Sequence, residues 1–190
     1  MLASDTITAN RNEIILLLRE TKRDGIESVI QYLDESGFYE APSSIYRHHN
    51  WKGGLAEHCL GVYRIAVELN NNRLPQDSII IAGLLHDICK ASKLYYGVDG
   101  QIHHRQTHIK GHGYRSVKLL ENCGLLLTED ERLAIRWHMG GHHAKSDEIE
   151  EVSRARQNEL WIVIHKADKL DASGKYAKET TLKTSDYVFV

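Results

Sequence analysis

The chain has 190 residues, which is enough for a single domain with a well-buried core. Its formal net charge is −2, so the overall charge favours a small substrate and not a polyanion such as DNA. Its three cysteines are scattered singly and no apolar run approaches the ~18 residues of a membrane span, so we expect a reduced, cytoplasmic protein with neither leader peptide nor membrane partner.

Two amphipathic helices are predicted within residues 1–37. Apolar side chains recur at helical spacing between residues 8 and 22 and again between residues 26 and 33. Gly25 and Gly37 are placed where helices commonly end.

A loop is predicted over residues 38–50. It contains Pro42 and leads into Arg47-His48-His49. We expect both histidines, like His142 and His143 further along the chain, to be solvated loop residues. Arg47 and His49 are candidate substrate contacts because they closely precede the first ligand-type side chain.

A long helix is predicted after Gly53-Gly54. Apolar residues recur at three- and four-residue spacing down to about residue 70, and His58 lies on the edge of this stripe.

The next segment, residues 79–85, is apolar on every side and ends in His86-Asp87. This pattern, with Pro75 before it, predicts a buried helix that ends near Lys90. Burying a polar group without a partner costs roughly 1–3 kcal/mol, so the histidine and the aspartate must be hydrogen-bonded, ion-paired or metal-bound.

A short β-hairpin is predicted over residues 94–104, because β-forming residues flank the turn sequence Asp99-Gly100. We expect His103, His104 and His108 to decorate this hairpin.

Three further helices are predicted after the hairpin. The first begins near His112, and the second begins with a capping box of Thr128 and Glu131 and ends at His138. The last carries Asp168 on or beside its apolar face.

Six imidazole and carboxylate side chains therefore fall on apolar faces or at helix ends. They are His58, His86, Asp87, His112, His138 and Asp168. Spacings of roughly 25–30 residues suit consecutive helices joined by short turns, so all six can converge in a helical bundle. Such ligands suit Mn, Fe, Co, Ni, Zn or Mg, and six exceed the needs of one tetrahedral ion. We predict one or two divalent ions, with Asp87 as the bridging carboxylate if there are two.

This pattern resembles the HD-domain metal-dependent phosphohydrolase superfamily over residues 45–171. The segments that carry the resemblance are Gly53-Gly54-Leu55-Ala56-Glu57-His58, Leu84-Leu85-His86-Asp87-Ile88-Cys89-Lys90 and His165-Lys166-Ala167-Asp168. The resemblance implies an all-α HD-domain helical bundle with a small β-hairpin insertion.

The resemblance also implies roles for individual residues. The first ion would be held by His58, His86, Asp87 and Asp168. His112 and His138 match the two extra histidines of the two-metal branch. Asp87 and Lys90 would be catalytic, with Lys90 reaching the substrate phosphate.

Several subgroups of the superfamily fit the sequence less well. The glycine pair before His58 is similar to that of bacterial 3'-5' exoribonucleases, but their nucleic-acid-binding barrel does not precede it, so polymeric RNA is not expected. The Glu-Asp pair of alarmone hydrolases and the Gly-Tyr-Pro signature of cyclic-di-GMP phosphodiesterases are absent.

We predict a single domain over residues 1–190, with N-terminal helices in 1–37, a metal-site core in 45–171, the hairpin at 94–104 and a tail at 172–190. Its predicted function is metal-dependent hydrolysis of a phosphoester in a small substrate, expected to be a nucleotide, with Lys90, Arg47 and His49 as substrate contacts. Three alternatives stay open: a di-iron oxygenase with the same ligand set, an exoribonuclease-like phosphodiesterase and a non-catalytic nucleotide sensor.

Overall fold

The structure is a computed structural model that describes residues 2–104, 111–142 and 144–174. Its helices and strands, in chain order, are α1 (Ser4–Glu20), α2 (Ile26–Ser36), α3 (Gly54–Asn70), α4 (Gln76–Leu85), β1 (Leu94–Tyr96), β2 (Ile102–His104), α5 (His112–Asn122), α6 (Glu129–Trp137), α7 (Ile149–Gln157) and α8 (Glu159–Ser173). The two strands pair antiparallel, with Tyr95 opposite His103. The predicted all-α bundle with a small β-hairpin is confirmed.

The long helix α3 lies at the centre of the bundle, where it packs against α1, α4 and α8. Helix α4 is the buried helix that its apolar sequence predicts, since every residue from Ser78 to Leu85 is buried. Helix α6 completes the core through contacts with α4, α5, α7 and α8. The C-terminal end of α4 thereby lies next to His58 of α3, and that of α6 lies next to His165 of α8.

One sequence-based expectation about helices was wrong, and one helix was missed. The buried helix ends at Leu85 and not near Lys90, because a separate 3-10 turn covers Ile88–Lys90. Helix α7 was not predicted, because most of its residues are charged or polar and its few apolar residues form only a weak pattern.

A buried polar network connects the N-terminal helices to the rest of the bundle. Glu131 is fully buried, and its carboxylate lies 3.0 Å from the guanidinium of Arg23 in the turn after α1. Ser78 at the start of α4 donates a hydrogen bond of 2.7 Å to the same carboxylate. Glu131 also forms the predicted capping box with Thr128. One carboxylate therefore joins three parts of the fold.

Some predicted features lie outside the described residues, namely His108, His143 and the tail from residue 175 onward. Among the residues that are described, no helix combines the length and the apolarity needed to cross a membrane.

Candidate metal centre

Five segments of the fold bring ligand-type side chains to one point. His58 comes from α3, His86 and Asp87 from the end of α4, His112 from the start of α5, His138 from the end of α6 and Asp168 from α8. All are buried except His112, whose side chain is 18% exposed. The structure thus brings together all six residues that the sequence singled out.

A first group in this centre consists of His58, His86 and Asp168. The Nε2 atom of His58 lies 3.3 Å from Nε2 of His86 and 3.3 Å from Oδ1 of Asp168. These three atoms are close enough to bind one ion.

A second group forms around Asp87 at the other side of the centre. Nε2 of His112 lies 3.0 Å from Nε2 of His138, and each of the two nitrogens lies 3.6 Å from Oδ1 of Asp87. The other oxygen of Asp87, Oδ2, lies 3.5 Å from His86 and 3.7 Å from His58. Each oxygen of Asp87 therefore faces a different pair of imidazoles, which is the arrangement of a carboxylate that can bridge two ions.

The hydrogen bonding of Asp87 leaves one of its oxygens available to a cation. Oδ1 is buried and has no hydrogen-bond partner among the described residues, although buried polar atoms are almost always paired. Its distance of 3.6 Å to the two imidazoles is too long for a hydrogen bond. A metal ion between Oδ1 and the two nitrogens would satisfy all three atoms.

The hydrogen bonds of the histidines direct their Nε2 lone pairs into the centre. Nδ1 of His86 lies 2.9 Å from the carbonyl of Gly83, and Nδ1 of His138 lies 2.8 Å from the carbonyl of Ile135. Because a carbonyl can only accept a hydrogen bond, both Nδ1 atoms must carry the proton. Nε2 is then unprotonated in the neutral ring and available to a metal.

Asp171 orients His58 in the same way, and it was not predicted from the sequence. Nδ1 of His58 donates to Oδ2 of Asp171 over 2.6 Å. Gly61 makes room for this carboxylate, since a Cβ at that position would lie 2.0 Å from Oδ1 of Asp171. One signal was present in the sequence: Asp171 follows Asp168 by three residues, which places both on one face of α8.

The electrostatics of the centre favour a positive charge. Burial lowers the pKa of His58, but the nearby carboxylates of Asp168 and Asp171 outweigh burial and raise this pKa to about 9. Burial lowers the pKa of His86 to about 3, so this histidine stays neutral. Burial opposes the charge of Asp87, yet Lys90 and the surrounding imidazoles hold its pKa well below the usual range. Once a metal replaces the proton of His58, three carboxylates and one ammonium carry a net charge of −2, which one divalent ion would balance.

Lys90 is the cation closest to the carboxylates. Its Nζ lies 2.5 Å from Oδ2 of Asp87, and its side chain is 13% exposed. Burial lowers the pKa of Lys90, but the charge of Asp87 and their hydrogen bond outweigh burial and raise it. Lys90 therefore stays charged at the edge of the centre, where an incoming anion can reach it.

The loop before α3 differs from the sequence-based expectation. The prediction that His48 and His49 are solvated is wrong, because both side chains are partly buried and their ring centres lie 4.8 and 5.4 Å from that of His58. Arg47 is exposed, so the structure does not bring this predicted substrate contact into the buried centre. His142 is exposed as expected, and His103 lies on the hairpin beside Asp99.

Comparison with known proteins assigns the chain to a family. The family model described as the HD domain matches residues 55–173, which is more than half of the chain. The chain therefore belongs to the HD domain family, and the six residues that converge at the centre fall within the matched region.

One similar protein is the dihydroneopterin 2',3'-cyclic phosphate phosphodiesterase of Methanocaldococcus jannaschii. It is 39% identical over 72 residues, which are 34% of this chain and 29% of that protein. The similarity thus covers less than a third of the relative. No solved structure matches the chain significantly.

Proposed function

We propose that this protein is a metal-dependent phosphohydrolase that cleaves a phosphoester bond in a small substrate. The observation that carries the proposal is the position of Asp87, whose two oxygens face separate imidazole pairs while Lys90 supplies a fixed positive charge 2.5 Å away. Membership of the HD domain family and the phosphodiesterase activity named for the relative support the same reaction class.

Each residue of the centre has a role in this proposal. His58, His86, Asp87 and Asp168 would hold a first divalent ion, and His112 and His138 would hold a second one with Asp87 as the shared ligand. Bound ions of this kind lower the pKa of water toward neutrality and balance charge on phosphate oxygens. Lys90 would bind a phosphate oxygen and position the ester bond next to Asp87.

The burial of the site and the net charge of the chain favour a small substrate. The ligand side chains are buried, and the chain has a net charge of −2, which does not favour a polyanion. We propose a nucleotide or a related heterocycle that carries a phosphodiester, with a 2',3'-cyclic phosphate as the first candidate because the relative is named for such a bond. Arg47 and His49, the other predicted substrate contacts, lie outside the buried centre.

The test is a substrate panel with defined metals. Protein stripped by chelation would be reloaded with Mn, Fe, Co, Ni, Zn or Mg and assayed on 2',3'-cyclic nucleotides, 3',5'-cyclic nucleotides, dinucleotides and generic phosphodiesters. We expect cleavage of a phosphoester that chelator abolishes and that His86→Ala removes, whereas His103→Ala on the hairpin should retain it.

The same panel separates hydrolysis from oxygenation. Each assay would be run with and without O2, because the di-iron oxygenase alternative requires O2 and iron. An O2-dependent product with iron alone, together with no phosphoester cleavage with any metal, would overturn the proposal.

A further inference from the structure

A third group of ligand-type side chains lies on the Nδ1 side of the His58 ring, outside the centre described above. It consists of His48 and His49 from the loop before α3 and Asp171 from α8. Nδ1 of His48 lies 3.3 Å from Nδ1 of His49, which in turn lies 3.6 Å from Oδ2 of Asp171. Ligand atoms of these three residues and of His58 all lie within 4.8 Å of one another.

Two of the distances between these atoms, 3.3 Å and 3.6 Å, are close to those between ligand atoms around a tetrahedral metal ion. Metal–ligand bonds of about 2.0–2.2 Å at tetrahedral angles place neighbouring ligand atoms roughly 3.3–3.5 Å apart. Hydrogen bonding explains only part of the group, because one proton can join the two Nδ1 atoms at 3.3 Å but does not account for the approach of Asp171 to His49. The separation of 3.6 Å between His49 and Asp171 is also too long for a hydrogen bond.

The backbone holds the two histidines in place before any ligand binds. The hydroxyl of Ser44 donates to the carbonyl of His48 over 2.7 Å, and the N–H of Ser43 donates to the carbonyl of His49 over 3.0 Å. His49 itself has a φ of 51°, in the left-handed region that residues other than glycine seldom adopt. Backbone strain of this kind persists where the surrounding structure enforces it, and it clusters at functional sites.

Gly54 allows this conformation of the loop. A Cβ at Gly54 would lie 2.1 Å from the carbonyl oxygen of His49, so any larger residue would displace the loop. Gly54 therefore serves two purposes, because it begins α3 and also allows the backbone of His49 to approach closely.

We propose that His48, His49 and Asp171 bind a transition-metal ion that is separate from the ions of the main centre. Two imidazoles and one carboxylate are a ligand set that binds zinc and similar ions while leaving a fourth position open. A cavity of about 590 Å³, whose lining includes these three residues, Trp51 and Arg64, provides room for water or a small anion at that position.

The two sites lie on opposite edges of one imidazole ring. Nε2 of His58 faces Asp168 and the main centre, whereas Nδ1 of His58 donates to Asp171. Asp171 therefore takes part in both sites, as a hydrogen-bond acceptor for one and as a direct ligand for the other. His48 and His49 belong to the second site alone, so their substitution tests it without removing a ligand of the main centre.

The experiment counts metal ions in variants of the two sites. His48→Ala and His49→Asn would be combined, the latter because asparagine tolerates a left-handed backbone. This double variant would be compared with the unmodified protein and with His103→Ala, a control that removes a histidine from the hairpin. Each protein would be equilibrated with Zn²⁺ or Co²⁺ and its metal content measured by mass spectrometry.

We expect the double variant to hold one ion fewer per chain than the unmodified protein and the control. With Co²⁺, it should also lose the visible absorption bands of one tetrahedral ion. A parallel series in a His86→Ala/His138→Ala background should retain one ion that disappears only when the loop histidines are changed. If the double variant fails to fold by circular dichroism, His48→Ala alone decides, with a loss of one ion or a drop of at least tenfold in its affinity.

Equal metal content and affinity in all of these proteins would overturn the proposal. So would a variant that keeps every ion but shows a raised KM for a phosphoester, because the histidines would then contact substrate. The outcome is independent of the proposed hydrolysis, since loss of one ion from a protein that cleaves no phosphoester would still support the second site.

Discussion

The carboxylate of Asp171 accepts a hydrogen bond of 2.6 Å from the imidazole of His58, on the side of the ring that faces away from Asp168. A carboxylate in this position fixes the tautomer and the orientation of a metal-binding histidine and makes its other nitrogen a better ligand. Asp171 therefore controls how well His58 can bind an ion without contacting that ion in the main centre.

Asp171→Asn should weaken metal binding at the main centre while the fold is retained. Loss of such an orienting carboxylate typically lowers metal affinity by about 10–100-fold. Competition with a chromophoric chelator would measure the change in a His48→Ala/His49→Asn background, so that only the main centre is counted. Gly61→Ala should have a similar effect, because its Cβ would lie 2.0 Å from the Asp171 carboxylate. Unchanged affinity in both variants would contradict this role.

Substitutions of His112, His138 and Asp87 should show whether the main centre holds one ion or two. His112→Ala and His138→Ala should each lose about one ion per chain and most activity, because only the ligands around Oδ1 of Asp87 are removed. Asp87→Ala should release both ions and lower the melting temperature more than either histidine change. Metal analysis and thermal melts of the three variants would be run side by side. Full metal content and activity in both histidine variants would indicate a single-metal centre.

Lys90→Ala should impair phosphoester cleavage without loss of metal. A hydrogen bond to a charged group is worth about 1.5–3 kcal/mol, so kcat/KM should fall roughly 10–150-fold. Metal content should stay constant because the lysine is not a ligand. Lys118→Ala is the control, since Lys118 is exposed on α5 and pairs with Glu121. A drop in metal content that accounts for the whole loss of activity would contradict the assignment.

The metal-free protein should be most stable near pH 6.5. The pKa of His58 is raised to about 9 by Asp168 and Asp171 despite burial, so the stability it contributes is complete below pH 6.5 and is lost between pH 6.5 and 9. Burial lowers the pKa of His86 to about 3 and that of His48 to about 4, so the stability from these residues is lost as the pH falls below 6.5.

Thermal melts in the presence of chelator would measure this pH profile. The metal-loaded protein is the matched comparison, because an ion in place of the His58 proton should remove the decline above pH 6.5. In the metal-free protein, a melting temperature at pH 9 that equals or exceeds the value at pH 6.5 would contradict the prediction.

Arg23→Met should destabilise the protein. Arg23 lies in the turn after α1, where substitutions usually have small effects, but its side chain pairs with a buried carboxylate. The substitution leaves the fully buried carboxylate of Glu131 without its cation, and breaking a buried pair in this way costs about 3–5 kcal/mol. Urea unfolding would measure the free energy of unfolding. Arg19→Met breaks an exposed pair with Glu27 and should cost far less. Equal losses of unfolding free energy in the two variants would contradict the prediction, because the buried ion pair would then contribute no more than the exposed one.

Most of the main centre could be predicted from the sequence because its ligands stand at positions that helical periodicity marks. His86 and Asp87 end a run that is apolar on all sides, and His138 follows a helix with a clear capping box. Such signals are local, so they can be recognised without knowledge of the tertiary fold. The all-α architecture followed from the same periodicity.

The parts that were missed depend on tertiary contacts. His48 and His49 are partly buried because the loop turns back onto α3 with a left-handed residue at position 49, a conformation that the local sequence does not specify. Asp171 lies in a charged stretch of α8, where only its distance to His58 distinguishes it from its neighbours. Most residues of helix α7 are charged or polar, and its few apolar residues form only a weak pattern.

The directions of α4 and α6 have a consequence for the order in which ligands can bind. A histidine of the centre directly follows the last residue of each helix, His86 after α4 and His138 after α6, so both helices present their carbonyl ends to the centre. The negative ends of two helix dipoles add to the surrounding carboxylates and repel a phosphate. An anionic substrate should therefore enter only after a cation has bound, and kinetics should follow an ordered sequence in which metal is the obligatory first ligand.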